Sequence, residues 1–254
     1  VTRPIVILRA GDVAPPVAEH RGQFPDWIVR VAGPAWSGGW RTHDARTEDP
    51  LPAIGEAAAF VITGSSSSVT ERAPWMLRLE ALVRSLVEAR APLFGICFGH
   101  QIVAQALGGE VVRNPRGREI GTVSVTRLAV DPVLEHAPER FHVNATHVDA
   151  VVRLPAGARV LAASELDPTQ AFGIGDTVRC VQFHPEIDGD AMRRYVAARS
   201  HLIEAEGGDA NAILARSSDT PHAEEILRAF VRRFVAPQAS SSAASLVSPL
   251  VSSS

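Results

Sequence analysis

The sequence contains no lysine: all 25 of its basic residues are arginine. This excludes P-loop, Schiff-base and kinase-type lysine chemistry, each of which needs an amine at a defined position. Cysteine is almost as scarce. Cys97 and Cys180 are too few to staple a chain of 254 residues, although one bridge between them is compatible with the sequence, and a reducing, cytoplasmic setting is expected. No apolar run approaches the roughly 18 to 20 residues that span a bilayer, and the amino terminus lacks a basic segment leading into an apolar one. Neither membrane insertion nor secretion is therefore expected. Arginines are spread along the chain and the 28 acids slightly outnumber them, for a net charge of −3, so a nucleic-acid partner is not expected. No dense Cys and His spacing suggests a metal site.

A hydrophobic fraction of 46% against 21% charged residues is that of a globular protein able to bury a sizeable core. Short apolar runs at Ile5 to Leu8, Ile28 to Val31, Phe60 to Ile62 and Leu93 to Ile96 read as buried strands between longer segments, which points to an α/β sheet. Pro74 opens a helical pattern through Val87 that Pro92 follows. A second helical stretch, Gln101 to Leu107, stops at Gly108 and Gly109, a pair that predicts a left-handed cap. The middle third alternates, at Thr122 to Val125, Val148 to Leu154 and Val178 to Phe183, and predicts antiparallel strands and hairpins. Two amphipathic helices are expected after it: one from Asp188 through Ile203, and one entered at Thr220 and Pro221 with Ile226, Leu227, Phe230 and Phe234 on one face. No repeat or linker divides the chain before Pro237, so one domain is expected over 1–236, followed by a disordered Ser/Ala-rich tail over 237–254.

The strongest local signal is Gly95-Ile96-Cys97-Phe98-Gly99-His100-Gln101, where a buried strand turns abruptly into a helix. Glycines on both sides of a nucleophile let the chain pass close to its neighbours in a strained turn, leaving the side chain at the strand's carboxyl end. A sulfur at a helix amino terminus is also favoured as thiolate by the partial positive charge there. Taken alone, the segment also fits an inert buried cysteine. A second signal lies 87 residues downstream of Cys97, where the apolar run Val181-Gln182-Phe183 ends in His184-Pro185-Glu186. His184 can serve as a base for the thiol and Glu186 as the carboxylate that orients the imidazole. Taken alone, His-Pro-Glu also fits a simple strand-ending turn.

Together the two motifs resemble the class I glutamine amidotransferases, whose signature is Gly-X-Cys-X-Gly-X-Gln followed by His-Pro-Glu. The resemblance runs over roughly residues 1 to 190, and Thr146-His147-Val148-Asp149 before Leu154-Pro155 is similar to a segment of guanylate-synthase-type glutaminase domains. Ala73-Pro74-Trp75 and Asn114-Pro115 match the stand-alone branch that includes γ-glutamyl peptidase-like members. The resemblance implies a flavodoxin-like, open, mostly parallel α/β sheet with helices on both faces and an antiparallel extension. It makes Cys97 the nucleophile, His184 the general base and then acid, and Glu186 the third triad member. The backbone N–H groups of Gly64 and Phe98 would form the oxyanion hole. Gln101, Thr146 and His147 would line the substrate pocket, although a lone histidine at a strand junction also fits a structural role. His100 is a weak catalytic candidate.

One loop departs from the family. Gly-Gly-Pro or Gly-Pro-Gly is common after the third strand, whereas this chain reads Thr63-Gly64-Ser65-Ser66-Ser67-Ser68. Ser65 and its neighbours either solvate an exposed loop or contact the substrate's carboxylate. The implied reaction is attack of Cys97 on the γ-amide of glutamine or of another γ-glutamyl compound, through a γ-glutamyl thioester, without a metal or organic cofactor. No acceptor domain is expected in the residues that follow His184 in this sequence. Either a separate synthetase subunit receives the ammonia, or the protein hydrolyses free γ-glutamyl substrates. Ser37-Gly38-Gly39 lacks the acid and serine that complete an ATP-pyrophosphatase loop. The related deglycase and protease branch places histidine directly after the cysteine, where Phe98 stands here, and a non-catalytic module is expected to have lost a triad member.

Overall fold

The computed structural model describes residues 2 to 235, so the Ser/Ala-rich stretch lies outside the described residues. Its elements in chain order are β1 (Ile5–Arg9), α1 (Pro15–Arg21), α2 (Phe24–Ala32), β2 (Trp40–Asp44), β3 (Ala59–Ile62), α3 (Pro74–Glu88), β4 (Leu93–Ile96) and α4 (Phe98–Ala106). The strands β5 (Glu110–Arg113), β6 (Glu119–Arg127), β7 (Arg140–His147), β8 (Asp149–Arg153), β9 (Ala158–Ala163), β10 (Ala171–Ile174) and β11 (Val178–Val181) follow. The chain then forms α5 (Gly189–Ala198), α6 (Ser200–Ala205), α7 (Ala210–Arg216) and α8 (Pro221–Phe230).

Nine strands form one sheet in the order β2-β1-β3-β4-β11-β10-β9-β6-β7, and β5 pairs with β8 in a separate ribbon. From β2 to β11 all neighbours are parallel; from β11 onward every pairing is antiparallel. The expected flavodoxin-like α/β architecture with its antiparallel extension is therefore present. In β1, Ile5 and Ile7 face a core shared with α2 and α8, whereas Val6 and Leu8 face one shared with α3 and α4. Because both faces are covered, the parallel strands read as unbroken apolar runs rather than alternating ones. The cysteine-bearing turn and the loop after β3 lie at the carboxyl ends of adjacent parallel strands, where open α/β sheets place their ligand crevices.

The chain departs from expectation in several places. Ile28 to Val31 is not a strand but the second half of α2. Phe24, Trp27, Ile28, Val31 and Ala32 are buried at helical spacing, and Gln23 and Asp26 form a capping box at the start. The helix containing Gln101 begins earlier, at Phe98, directly on the cysteine. Val178 to Phe183 contributes β11, which is antiparallel to β10 but parallel to β4, joining the two halves of the sheet. The single helix expected from Asp188 through Ile203 breaks at Arg199 (φ −112°, ψ 10°) into α5 and α6. The Pro74 helix and the Pro221 helix form as expected, and Gly108 adopts a φ of 87° after α4. Cys97 and Cys180 are both free.

Candidate active site

Cys97 caps the amino terminus of α4 with φ 51° and ψ −99°, a conformation an L-residue holds only under constraint. Its N–H donates to Val181 O at 2.9 Å, and its carbonyl accepts from Gln101 N at 3.1 Å. The flanking glycines are required sterically. A Cβ on Gly95 would lie 2.6 Å from Gly99 O, and one on Gly99 would lie 2.4 Å from Ile62 O. Cys97 sits at the positive end of a nine-residue helix and the residue is 6% exposed.

His184 reaches the same point from the end of β11. Its N–H donates to Asn144 O at 2.8 Å, and its Nδ1 is 2.7 Å from Glu186 Oε1. Both residues are buried. Phe24 of α2 stacks on the imidazole with centroids 5.7 Å apart, and Arg30 of the same helix donates to Glu186 O at 3.1 Å and to Asp188 at 2.7 Å. Gly64, in the loop after β3, faces the pair directly. A Cβ there would lie 2.7 Å from His184 Cε1, 3.6 Å from its Nε2 and 3.7 Å from Cys97 Cβ. Burial is the largest single influence and opposes a charge on either partner, but the surrounding groups together outweigh it: the Cys97 thiol falls below its ordinary range through His184 and His147, and His184 rises through Glu186 and Cys97. The arrangement favours a thiolate–imidazolium pair.

Phe98 N–H belongs to the first turn of α4, where backbone donors have no acceptor within the helix. Its ring stacks on Trp75 at 5.5 Å, fixing that turn against α3. The serine loop is partly tied inward: Ser65 Oγ accepts from Ser67 N at 3.2 Å, and Ser68 Oγ donates to Asp149 and accepts from Thr70 N. Gln101 spends both amide hydrogens on Asp149 O (3.1 Å) and Gln182 Oε1 (3.0 Å), so its Oε1 is the side-chain atom left for a ligand. Thr146 sits opposite Ile120 in the β6–β7 register and is half-buried.

His147 is 4% exposed, with Nδ1 2.9 Å from Asp149 O and Nε2 3.0 Å from Glu119 Oε2. Both partners are acceptors, so both nitrogens carry protons. Burial works against that charge, but Glu119 more than restores it and His147 is raised overall. Its charge in turn is among the influences lowering the Cys97 thiol. His100 is the opposite case. Buried against Phe172 with no hydrogen-bond partner at either nitrogen, it is lowered to about 3 by burial and by His147, and stays neutral. Cys180 lies in β11 opposite Gly95, and burial pushes its thiol far up. No cluster of three or more His, Cys, Asp or Glu suited to a metal occurs among the described residues.

The predicted residues Gly64, Cys97, Phe98, Gln101, His184 and Glu186 thus converge from three strand ends, with His147 against the same turn. Sequence reasoning missed Phe24, Arg30, Glu119 and Asn144, all of which hold these residues in place. The Gln23–Asp26 capping box and Pro25 were the available signal for the helix carrying the first two.

Known proteins similar to this chain fix its family and fold. The family model described as Glutamine amidotransferase class-I matches residues 41–202. Gamma-glutamyl peptidase 4 of Arabidopsis thaliana is 31% identical over 183 residues, which is 68% of this chain and 73% of that protein. A glutamine-hydrolyzing GMP synthase of Aeropyrum pernix is 38% identical over 141 residues, 54% of this chain but only 26% of the synthase. Among solved structures, a glutamine amidotransferase from Methylobacillus flagellatus superposes with a TM-score of 0.73 at 25% identity, covering 92% of this chain and 96% of that one. A glutamine amidotransferase from Thermotoga maritima shares the fold, with a TM-score of 0.71 at 24% identity over 91% of this chain and 98% of that one. The chain belongs to the class I glutamine amidotransferase family.

Proposed function

We propose that the protein is a thiol hydrolase that cleaves the γ-amide of glutamine or of a related γ-glutamyl compound through a Cys97–His184–Glu186 triad. The observation that carries this reading is the meeting of Cys97 and His184 over Gly64, with Glu186 2.7 Å behind the imidazole.

Cys97 Sγ attacks the γ-carbonyl carbon and the carbonyl oxygen takes the charge, facing the N–H groups of Gly64 and Phe98. Each such donor is worth about 3 kcal/mol when aimed at a developing oxyanion. The C–N bond then breaks, His184 gives its proton to the departing nitrogen, and a γ-glutamyl thioester remains with ammonia or an amine released. Water attacks the thioester as His184 takes its proton; the proton returns to sulfur and glutamate leaves. Glu186 holds the imidazole in orientation and balances its positive charge. Ammonia delivery requires an acceptor subunit, and the similarity to a glutamine-hydrolyzing GMP synthase makes a separate synthetase the second reading. The peptidase relative, matched over more of its length, favours direct hydrolysis of γ-glutamyl peptides.

The test is release of glutamate, ammonia or amine from glutamine and from a γ-glutamyl dipeptide, with Cys97→Ala as the blank. Dipeptide turnover that exceeds glutamine turnover and vanishes in Cys97→Ala is the expected result. Equal turnover in Cys97→Ala overturns the triad assignment. Fast hydrolysis of glutamine alone favours the synthetase-linked reading.

A further inference from the structure

Two buried histidine–carboxylate pairs occur among the described residues, and the mechanism uses only one of them. His184 with Glu186 is the first. The second is His147 with Glu119, whose Nε2 and Oε2 lie 3.0 Å apart with the side chains 1% and 4% exposed. Glu119 has further partners: Oε1 accepts from Ser164 Oγ at 2.7 Å, and Oε2 accepts from Gln170 Nε2. All three partners of Glu119 are donors, which suits a carboxylate with no hydrogen of its own. His147 Nδ1 meets Asp149 O at 2.9 Å, so the ring stands between two acceptors and supplies a proton to each. Held in that way, it has no lone pair left with which to take a proton from a substrate.

We propose that Glu119 is a positioning residue for the reaction: through His147 it keeps a second, fixed positive charge beside the Cys97 elbow, so that the thiolate faces two imidazolium rings of which only His184 moves a proton. This rests on the triad reading above.

Hydrogen bonds place the second pair against the reacting groups. Glu119 and His147 are opposite one another in the β6–β7 register, at the end of β7. Earlier in the same strand, Asn144 O accepts from His184 N at 2.8 Å, so β7 both carries His147 and holds the backbone of the triad histidine. On the other side, Asp149 O accepts from His147 Nδ1 and also from Gln101 Nε2, at 3.1 Å, and Gln101 N donates to Cys97 O at 3.1 Å. One shared acceptor therefore joins the ring to the first turn of the elbow helix. The titratable groups that face His147 are Glu119 from β6, Asp167 from the loop before β10, His100 from α4 and Cys97 at its cap. Burial opposes the ring's charge, and Glu119 is the strongest influence restoring it. Burial likewise opposes a Cys97 thiolate, which His184 and then His147 favour.

The two rings have different tasks. His184 gives its proton to the departing nitrogen and regains one from water, so its charge comes and goes within a turnover. His147 keeps both protons. A charge that stays throughout the cycle favours the thiolate twice, as the nucleophile and as the group expelled from the thioester.

Glu119→Gln keeps the shape and removes the charge, and its amide can donate to Nε2 of a neutral ring; Glu119→Asp keeps the charge. Iodoacetamide incorporation at Cys97 and kcat/KM for glutamate release are measured against pH in the parent and both variants, with Cys97→Ala as the blank. Glu119→Gln is expected to raise the alkylation midpoint by about half a unit or more and to slow alkylation below both midpoints by about threefold or more. The acid limb of kcat/KM moves with it, and above the shifted midpoint kcat/KM returns to within about twofold of the parent. Glu119→Asp is expected to lie between the two. A purely structural role lowers kcat/KM by one factor at every pH and leaves the midpoint in place, and that result overturns the proposal. Nitrogen-15 spectra of the parent protein, with the His147 ring assigned by its loss in His147→Asn, give a readout that needs no change at Glu119. At pH 6.5, where an ordinary imidazole is about half charged, the ring is expected to be mostly charged, and a mostly neutral ring overturns the proposal even if neither Glu119 variant folds. Turnover undiminished in Cys97→Ala overturns the triad reading and this proposal with it, whereas an unmoved midpoint in a Cys97-dependent enzyme overturns the role of Glu119 alone.

Discussion

Cys97 and Cys180 are chemically the same residue in opposite environments, both buried, and the contrast shows what the site adds. Around Cys97 the interactions with His184 and the charge of His147 overcome the cost of burying a thiolate, whereas at Cys180 burial outweighs the Gly95 backbone and the Arg179 charge and pushes the thiol far up. An alkylating reagent therefore reads Cys97 selectively, because the thiolate is the reacting species. The alkylation rate of the parent protein is expected to rise with pH through a midpoint below the ordinary thiol value of about 8.5. His184→Asn removes the largest influence lowering the Cys97 thiol, so its midpoint is expected to move up by about one unit or more. Cys180→Ser is expected to leave the profile in place. Rates of iodoacetamide incorporation against pH, followed by mass spectrometry, check all three; an unshifted His184→Asn profile counts against the pair.

At the scale of elements, the elbow depends on two strands and a helix meeting more closely than any side chain permits. The Gly99 contact is with the backbone oxygen of Ile62 in β3, which is held in the sheet and cannot move aside. Gly99→Ala is expected to cost about 3 kcal/mol or more, through a lower melting temperature and weak expression. Gly64→Ala differs because its Cβ meets the His184 ring in a loop rather than a strand. It is expected to retain most stability and lose about 10²-fold in kcat, the usual cost of displacing a reacting group by about an ångström. Melting curves together with steady-state kinetics separate the two effects. These glycines and the strands they flank were legible because sterics write them into the sequence: a buried parallel strand is an apolar run, and an elbow is a nucleophile between glycines. Elements at the edges were not. β2 pairs only with β1 and carries Arg41, Thr42 and His43, so no apolar run marks it. In α2, the stretch Ile28 to Val31 resembles a strand when read alone; only Phe24, Trp27 and Ala32 at helical spacing reveal the helix. The missed helix is the one that carries Phe24 against His184, so the triad was legible as a motif while its support was not. Glu119 escaped for a related reason. Its meaning comes from His147 across the β6–β7 register, and registers are set by three-dimensional pairing.

At the scale of the whole molecule, a chain without lysine relies on arginine for every fixed cation, and several arginines join segments far apart in sequence. Arg46, after β2, donates to Asp44 and also to Asp12 in the loop after β1, tying the edge of the parallel sheet to the loop whose Gly11 packs against Ser65. The Arg46 hydrogen bonds outweigh burial and hold Asp44 down at about 2 and Asp12 below its ordinary value. A carboxyl lowered on folding adds stability that is fully present above its unfolded value near 4, and that stability is lost as pH falls through the folded value. The folded protein is therefore expected to lose stability between about pH 4 and pH 2 as this cluster takes up protons. Asp44→Asn removes the most depressed member of the cluster. It is expected to lower the unfolding free energy by about 1 kcal/mol or less at pH 7, because the pair is partly solvated, and to flatten the acid limb below pH 4. Urea unfolding of both proteins at a series of pH values measures this directly. Curves that stay parallel down to about pH 2 would mean that the Arg46 cluster does not anchor the edge of the sheet, and that the acid sensitivity arises elsewhere in the molecule.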